Sequence, residues 1–419
     1  MIQLPRAWVT RRRCLAVLAL TLLSTTATFP GASARSENAP LWTGTWEAAP
    51  SGTAPELPDA SIRNVVHTSV GGVAARIHVS NRLGTAPLQL DAVTVALQRP
   101  GPAAGPDALP GSVRAATFGG AASVTVPVGE DRISDPVDFR VPADSNLLVT
   151  VHALAGSVPA TYHETALQSS FVAQSSHRAA DVDGAAYTRT VSHWYYLSGV
   201  DVLRPSDAGS VVAFGDSLTD GTGSTPGTNH RWPDRLSQRL SALPESRRPG
   251  VLNAGIGGNR LLLDGTGPNA LARLDADALS RGGVRTLIVL EGINDLIVAP
   301  SRLDPAAYAR AYRQIVARAH ALGVRVIGAT LTPLGGHKLW SPERESVRQE
   351  INTLIRGQLF DAVADFDAVV RDPARPVRIL PAYDPGDHLH FNDAGMKALA
   401  DTIDPAFLAG QLRATQPRS

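Results

Sequence analysis

Ser217 stands at the carboxyl end of the apolar run Val211-Val212-Ala213-Phe214, directly after Gly215-Asp216. A serine hydroxyl is a poor nucleophile until a base takes its proton and donors stabilise the oxyanion it creates. A suitable base lies about 170 positions further on, in Asp387-His388-Leu389-His390-Phe391-Asn392-Asp393. Asp387 and His390 are three apart, so a helical turn there would bring their side chains out on one side. The carboxylate would then hold the imidazole in the tautomer a general base needs. Two further segments, Asn253-Ala254-Gly255-Ile256-Gly257-Gly258-Asn259 and Glu291-Gly292-Ile293-Asn294-Asp295, each follow an apolar run. Glycine lets a backbone N–H approach a reacting centre closely, and asparagine can aim a side-chain amide at the same point.

These residues need a scaffold that gathers distant segments. From Gly209 to about Leu412, apolar runs at Val211 to Phe214, Val251 to Ala254, Thr286 to Leu290 and Val324 to Leu331 alternate with helical segments. That alternation predicts a parallel sheet with crossover helices on both faces, and ligands bind at the carboxyl edge of such a sheet. One helix is capped by Asp304 and begins at Pro305, with Tyr308, Tyr312, Ile315, Ala319 and Leu322 on one face before Gly323 ends it. A second runs from Pro342 to about Arg356 behind Ser341, with Val347, Ile351, Leu354 and Ile355 turned inward. The preceding part, from Trp42 to about Arg204, reads as short strands separated by Gly, Pro, Asp and Ser. Candidates are Ile62 to Val70, Val73 to Ser80, Leu88 to Leu97, Ser123 to Val128, Val137 to Val141, Leu147 to Leu154 and Trp194 to Leu203. This spacing predicts an antiparallel β-sandwich, with Arg99 to Pro110 as a surface loop. The expected division is therefore a sandwich over residues 41–206 and an α/β domain over 209–412.

The four chemical segments resemble the blocks of the SGNH or GDSL hydrolase family, in the family's order, over Val211 to about Ile403. The resemblance implies a flavodoxin-like three-layer α/β/α domain. It also implies Ser217 as nucleophile and amide donor, Asp387 and His390 as the rest of a triad, and Gly258 and Asn294 as further oxyanion donors. Gly257 is the alternative to Gly258. Phe391 stands where the family commonly has proline after the histidine, and Ile293 fills a variable position, so the shape of the pocket is less defined than its chemistry. Competing readings are structural: Ser217 as a helix cap, Asp216 and Asp295 as loop hydrogen-bonding groups, and Trp42, Trp46 and Trp194-Tyr195-Tyr196 as core rather than a sugar platform. His388 with His390 makes a poor transition-metal site, and His388 is expected at the entrance or facing water. The loop from Pro333 to Pro342 either shapes an acyl pocket or is merely solvated.

The chain has 419 residues, 43% hydrophobic and 18% charged, which excludes overall disorder. Its one cysteine, Cys14, excludes a disulfide framework, a cysteine-based zinc site and a cysteine nucleophile elsewhere. Arg6, Arg11, Arg12 and Arg13, an apolar run from Cys14 to Leu23 and Ala32-Ser33-Ala34 have the order of a secretory signal peptide over residues 1–34. Thr10-Arg11-Arg12-Arg13-Cys14-Leu15 resembles a twin-arginine signal of a bacterial protein, with Sec export the alternative. Removing four arginines and no acids changes 39 basic against 38 acidic side chains to 35 against 38, a formal −3. No basic cluster remains for nucleic acid and no later run is long enough to span a membrane. The expectation is a secreted serine esterase acting on lipid or short-chain acyl esters without cofactor or metal. Carbohydrate O-acetyl esterase, a non-catalytic carbohydrate-binding protein on the same scaffold, and acyl transfer are the alternatives. Oligomeric state is left open.

Overall fold

The computed structural model describes residues 41–408 except 56, 102–104, 155–158, 207 and 299–303. The expected leader, residues 1–34, lies outside the described residues. Among them no helix is long and apolar enough to cross a membrane.

The α/β half is built on five parallel strands in the order Gly250–Gly255, Ser210–Gly215, Val284–Leu290, Arg325–Ala329, Ala362–Ala364. Counted along the chain this order is 2-1-3-4-5. The direction of travel across the sheet reverses at the first strand, so right-handed crossovers place helices on opposite faces. Trp232–Leu240 packs against Asp393–Asp401, while Pro305–Ala321 packs against Ala270–Leu274 and Pro342–Arg356. Both helices expected from the sequence form. Asp304 accepts from the Ala306 amide at 2.9 Å, and the Ser341 hydroxyl accepts from that of Arg344 at 3.2 Å. Leu322, expected on the buried stripe, is 63% exposed. The helix ends there in a Schellman turn, with Gly323 at φ 71° and the Val324 amide bonded to the Ala319 carbonyl at 3.0 Å, and Val324 takes the buried place instead.

The β-rich half contains an antiparallel sheet of Leu41–Glu47, Leu197–Arg204, Ala74–Ser80 and Asp131–Ile133. A larger antiparallel sheet is ordered Arg189–Val191, Ser170–Gln174, Ala60–Thr68, Ser145–Ala153, Leu88–Leu97, with Arg114–Ala116 and Val124–Val126 both on its last strand. Ile77 and Val200 from the first and Ile62, Val95 and Val149 from the second share one apolar cluster. A short third sheet joins Trp194–Tyr195, Ala160–His163 and Gly52–Ala54. Three expected features change. Val137 to Val141 is not a strand; it pairs only at its two ends, with Ala75 and Gly72, and Pro136 and Pro142, which lack amides, stop the pairing from extending past either. Trp194 to Leu203 is broken at Tyr196, whose φ of 57° carries the chain from one sheet to another. The 99–110 loop is not wholly superficial: Ala108 is buried, and the buried Arg63 donates to the Pro106 carbonyl at 2.5 Å. Trp46, Trp194, Tyr195 and Tyr196 are all buried and so form no sugar platform.

Buried arginine–carboxyl contacts tie the halves together. Arg82 pairs with Asp277, and Arg281 Nε lies 2.7 Å from Glu47 Oε1. Burial pushes the Glu47 carboxyl from its ordinary value of 4.5 up to about 8, against the opposing pull of Arg281. Between those two pH values the folded protein holds a proton that the unfolded chain has lost, so this group makes stability fall as pH rises from 4.5 to 8. Glu47→Gln removes that slope. The Tm of the Gln variant relative to the parent is expected to rise steadily between pH 5 and pH 8; a difference independent of pH would refute this account of Glu47.

Candidate active site

The first three chemical segments meet because their strands are neighbours and end at the same edge. Ser217 opens a one-turn helix, Ser217–Asp220, directly after its strand. Asp216 caps that helix, its Oδ1 accepting from the Leu218 amide at 3.0 Å. The helix crosses the strand ends closely enough that only glycine fits beneath it. A Cβ on Gly215 would lie 2.4 Å from the Thr219 Oγ1 of that helix, and one on Gly255 2.2 Å from its Asp220 nitrogen.

His390 Nε2 lies 2.9 Å from Ser217 Oγ, and His390 Nδ1 lies 2.6 Å from Asp387 Oδ2. A carboxylate only accepts, so Nδ1 of a neutral ring must carry the proton, which leaves Nε2 to accept from the serine hydroxyl. The segment that delivers this pair is not the helical turn expected. Asp387 Oδ1 accepts from the Leu389 and His390 amides at 3.0 and 2.9 Å, and His388 adopts a left-handed φ of 64°. The carboxylate is thus fixed by its own loop. Burial pushes the Asp387 carboxyl up, but hydrogen bonds from the His390 ring and the two amides hold it below the ordinary carboxylate range. Asn392 then caps Asp393–Asp401, accepting from the Ala394 and Gly395 amides at 3.1 Å.

Ile256 to Asn259 forms a turn with Gly258 at φ 77°. The Gly257 amide donates to Asp220 Oδ2 at 3.0 Å, whereas the Gly258 amide has no hydrogen-bond partner among the described residues. Asn294 Nδ2 donates to the Asn259 carbonyl at 2.9 Å and lies 3.3 Å from Asp216 Oδ2, so one of its hydrogens is strongly held and the other only weakly. Asp295 accepts from the Leu261 and Leu262 amides at 2.7 and 3.0 Å, a loop-holding role. His388 Nδ1 turns to Asp384 at 2.5 Å, so it and His390 each face their own aspartate. Gly336 of the 333–342 loop packs on the His388 ring: a Cβ there would lie 3.0 Å from His388 Cδ2.

Sequence reasoning missed the group underneath. Arg273, buried on Ala270–Leu274, donates to the Gly215 and Ala254 carbonyls at 2.8 and 2.7 Å and to Asn259 Oδ1 at 2.9 Å. It also lies 3.4 Å from Asp277 and 3.6 Å from Glu291. Around it burial pushes Asp216 up to about 7 and, with the Asp216 charge adding, Glu291 well above its usual range. An arginine at a helical position without an apolar periodicity of its own carries no signal of this role in the sequence.

Residues 213–398 match the GDSL-like Lipase/Acylhydrolase family. The chain carries a GDSL-like acylhydrolase domain, an ester-acting hydrolase. The domain is similar in fold to the aryl esterase of M. smegmatis, at 19% identity over 48% of this chain and 97% of that one, with a TM-score of 0.38. It is also similar to a carbohydrate acetylesterase from Sinorhizobium meliloti, at 19% identity over 48% and 99%, with a TM-score of 0.38. No curated protein matches the chain by sequence.

Removing Arg273 strands three acceptors and two carboxyls in the interior of this domain. Arg273→Ala is expected to cost about 3–5 kcal/mol in urea unfolding. Arg273→Lys should recover little of it, since a single ammonium cannot reach the Gly215, Ala254 and Asn259 acceptors together. A loss below about 1 kcal/mol for the Ala variant would show that the acceptors find other donors.

Proposed function

We propose that the chain is a secreted serine esterase that hydrolyses lipid or short-chain acyl esters through an acyl-enzyme. One observation carries this reading: the Asp387–His390–Ser217 hydrogen-bond chain, which links a carboxylate, an imidazole and a hydroxyl across 173 positions of sequence with separations of 2.6 and 2.9 Å. Ser217 Oγ attacks the ester carbonyl as its proton passes to His390 Nε2. The tetrahedral oxyanion is held by the amides of Ser217 and Gly258 and by the less strongly held N–H of Asn294. His390 returns the proton to the departing alcohol oxygen. Water, giving its proton to the same nitrogen, then attacks the acyl-Ser217 bond and releases the acid and the serine hydroxyl. Asp387 keeps the ring oriented and offsets its charge at each transfer. The occupied Gly257 amide supports Gly258 as the donor of that turn. Within this reading, residues 41–206 are an accessory β-sandwich domain and 209–412 the catalytic domain, a division supported by three apolar clusters that, Ala49 aside, each draw on one side of it. Export is supported by the arginine, apolar and small-residue order of residues 1–34.

Ser217→Ala should fold as the parent does and lose at least about 10,000-fold in kcat on a chromogenic acyl ester. Asn294→Ala should lose about 100- to 1,000-fold. Retained turnover in the Ser217 variant would end the nucleophile assignment. A series of p-nitrophenyl esters from acetate to palmitate, set against acetylated xylan, assigns the substrate; faster deacetylation of the polysaccharide would move the reading to a carbohydrate O-acetyl esterase. Secreted protein should begin at Arg35 by intact mass, and an uncut leader would refute the export reading.

A further inference from the structure

We propose that His163, contributed by the β-rich half, is a positioning residue for the oxyanion donor: through Asp220 it fixes the Gly257–Gly258 turn against the helix that carries Ser217. The inference rests on the serine-esterase reading and assigns a role within it to a residue 54 positions before the proposed nucleophile.

His163 sits on the short strand Ala160–His163, opposite Trp194, and its ring lies 5.4 Å from the indole of that residue. Both ring nitrogens face acceptors: Nδ1 lies 2.7 Å from the Ala49 carbonyl and Nε2 3.0 Å from Asp220 Oδ1. A neutral imidazole has one N–H and would leave one of these contacts as two facing lone pairs, so the arrangement calls for the imidazolium. Burial disfavours that charge, but Asp220 and the Ala49 carbonyl outweigh it, and the ring is held above its ordinary pKa. The other charged group facing the ring is Arg231, which is itself paired with Asp234 at 2.8 Å.

Asp220 is what makes the contact matter. It is the last residue of the helix begun by Ser217, and its second oxygen, Oδ2, accepts the Gly257 amide at 3.0 Å. Its two oxygens therefore join the β-rich half to the turn whose next amide, that of Gly258, has no hydrogen-bond partner among the described residues. Both side chains of the pair are only 2% exposed, so water cannot substitute for either. A turn with two adjacent glycines has little conformational preference of its own, and an external acceptor on Gly257 selects one orientation for the peptide that follows. Oxyanion donors act through placement, and errors on the order of 1 Å change rates by about 100-fold.

The test uses the full-length enzyme and its variants His163→Ala, Asp220→Ala, Asp220→Asn and the double alanine variant, with kcat, KM and Tm measured for each on one chromogenic ester. His163→Ala and Asp220→Ala are each expected to lower kcat about 10- to 100-fold with KM changed less than about threefold. The double variant should be no slower than Asp220→Ala alone, since the two residues act in series. Asp220→Asn should keep kcat within about threefold. Its Oδ1 still accepts the Gly257 amide, and its Nδ2 donates to the Nε2 of a neutral His163, whose Nδ1–H still reaches Ala49. Unchanged kcat in His163→Ala, a loss confined to KM, or additive losses in the double variant overturns the proposal. Where His163→Ala does not fold, the comparison of Asp220→Asn with Asp220→Ala decides, equal losses counting against it. Failure of the esterase reading would show itself separately, as turnover that survives Ser217→Ala.

Discussion

Arg273 is the constraint on which the site's geometry depends. A parallel sheet brings several strand ends to one edge, but their carbonyls there need donors, and an edge that must also leave room for a ligand has few to offer. One guanidinium, with five donors in a fixed plane, serves the ends of two strands at Gly215 and Ala254 and reaches the side chain of Asn259. Asn259 passes the constraint on. Its side-chain amide bonds the Thr266 and Pro268 carbonyls, and its own carbonyl accepts from Asn294. The strand ends at Gly215 and Ala254, the Asn259 end of the glycine turn and, through Asn259, the Asn294 amide are therefore linked to one buried cation rather than held by three independent loops.

The β-rich half completes that frame. Gly250–Gly255 is an edge strand of the parallel sheet and would present unpaired backbone groups to solvent. The Leu41–Glu47 strand lies against it, so closely that a Cβ on Gly250 would sit 2.0 Å from the Gly44 carbonyl oxygen. The Val251 amide finds the Ser69 hydroxyl at 2.9 Å, and the Gly44 amide the Gly282 carbonyl at 2.8 Å. These contacts cover the edge nearest the glycine turn, and the Arg82–Asp277 ion pair and the Arg281–Glu47 contact hold the cover in place.

What was legible in the sequence was what chemistry and local propensity write there. Ser217, the glycines at 257 and 258 and Asn294 stand out as types that acyl transfer could use after strands, Asp387 and His390 by their spacing, with Gly258 preferred through the family resemblance, and Ser341 and Asp304 because a cap must precede its helix. The relations that failed to show are between residues whose partners have no fixed offset. His163 and Asp220 are 57 positions apart, each unremarkable alone. The same limit explains the smaller differences. Leu322 satisfies the helical period but falls where the Schellman turn substitutes Val324, and the Asp387–His390 spacing fits a helical turn equally well as the side-chain-braced loop that forms.

Three carboxyls beside a centre proposed to receive negative charge look at first like a fault. Asp216, Asp295 and Glu291 are all buried near the strand ends, and as carboxylates they would oppose an oxyanion through a medium that screens poorly. Burial removes most of the conflict. Glu291 is driven well above its usual pKa by burial and by the neighbouring Asp216 charge, which favours its neutral form, and Asp216 is raised to about 7. Asp295 is raised by burial too, against two amides that favour its charge. A protonated Asp216 is also a weaker competitor for the Asn294 amide than a carboxylate would be, consistent with the long 3.3 Å separation between them. The dryness that makes the donors strong is thus the same property that keeps the neighbouring acids from cancelling them.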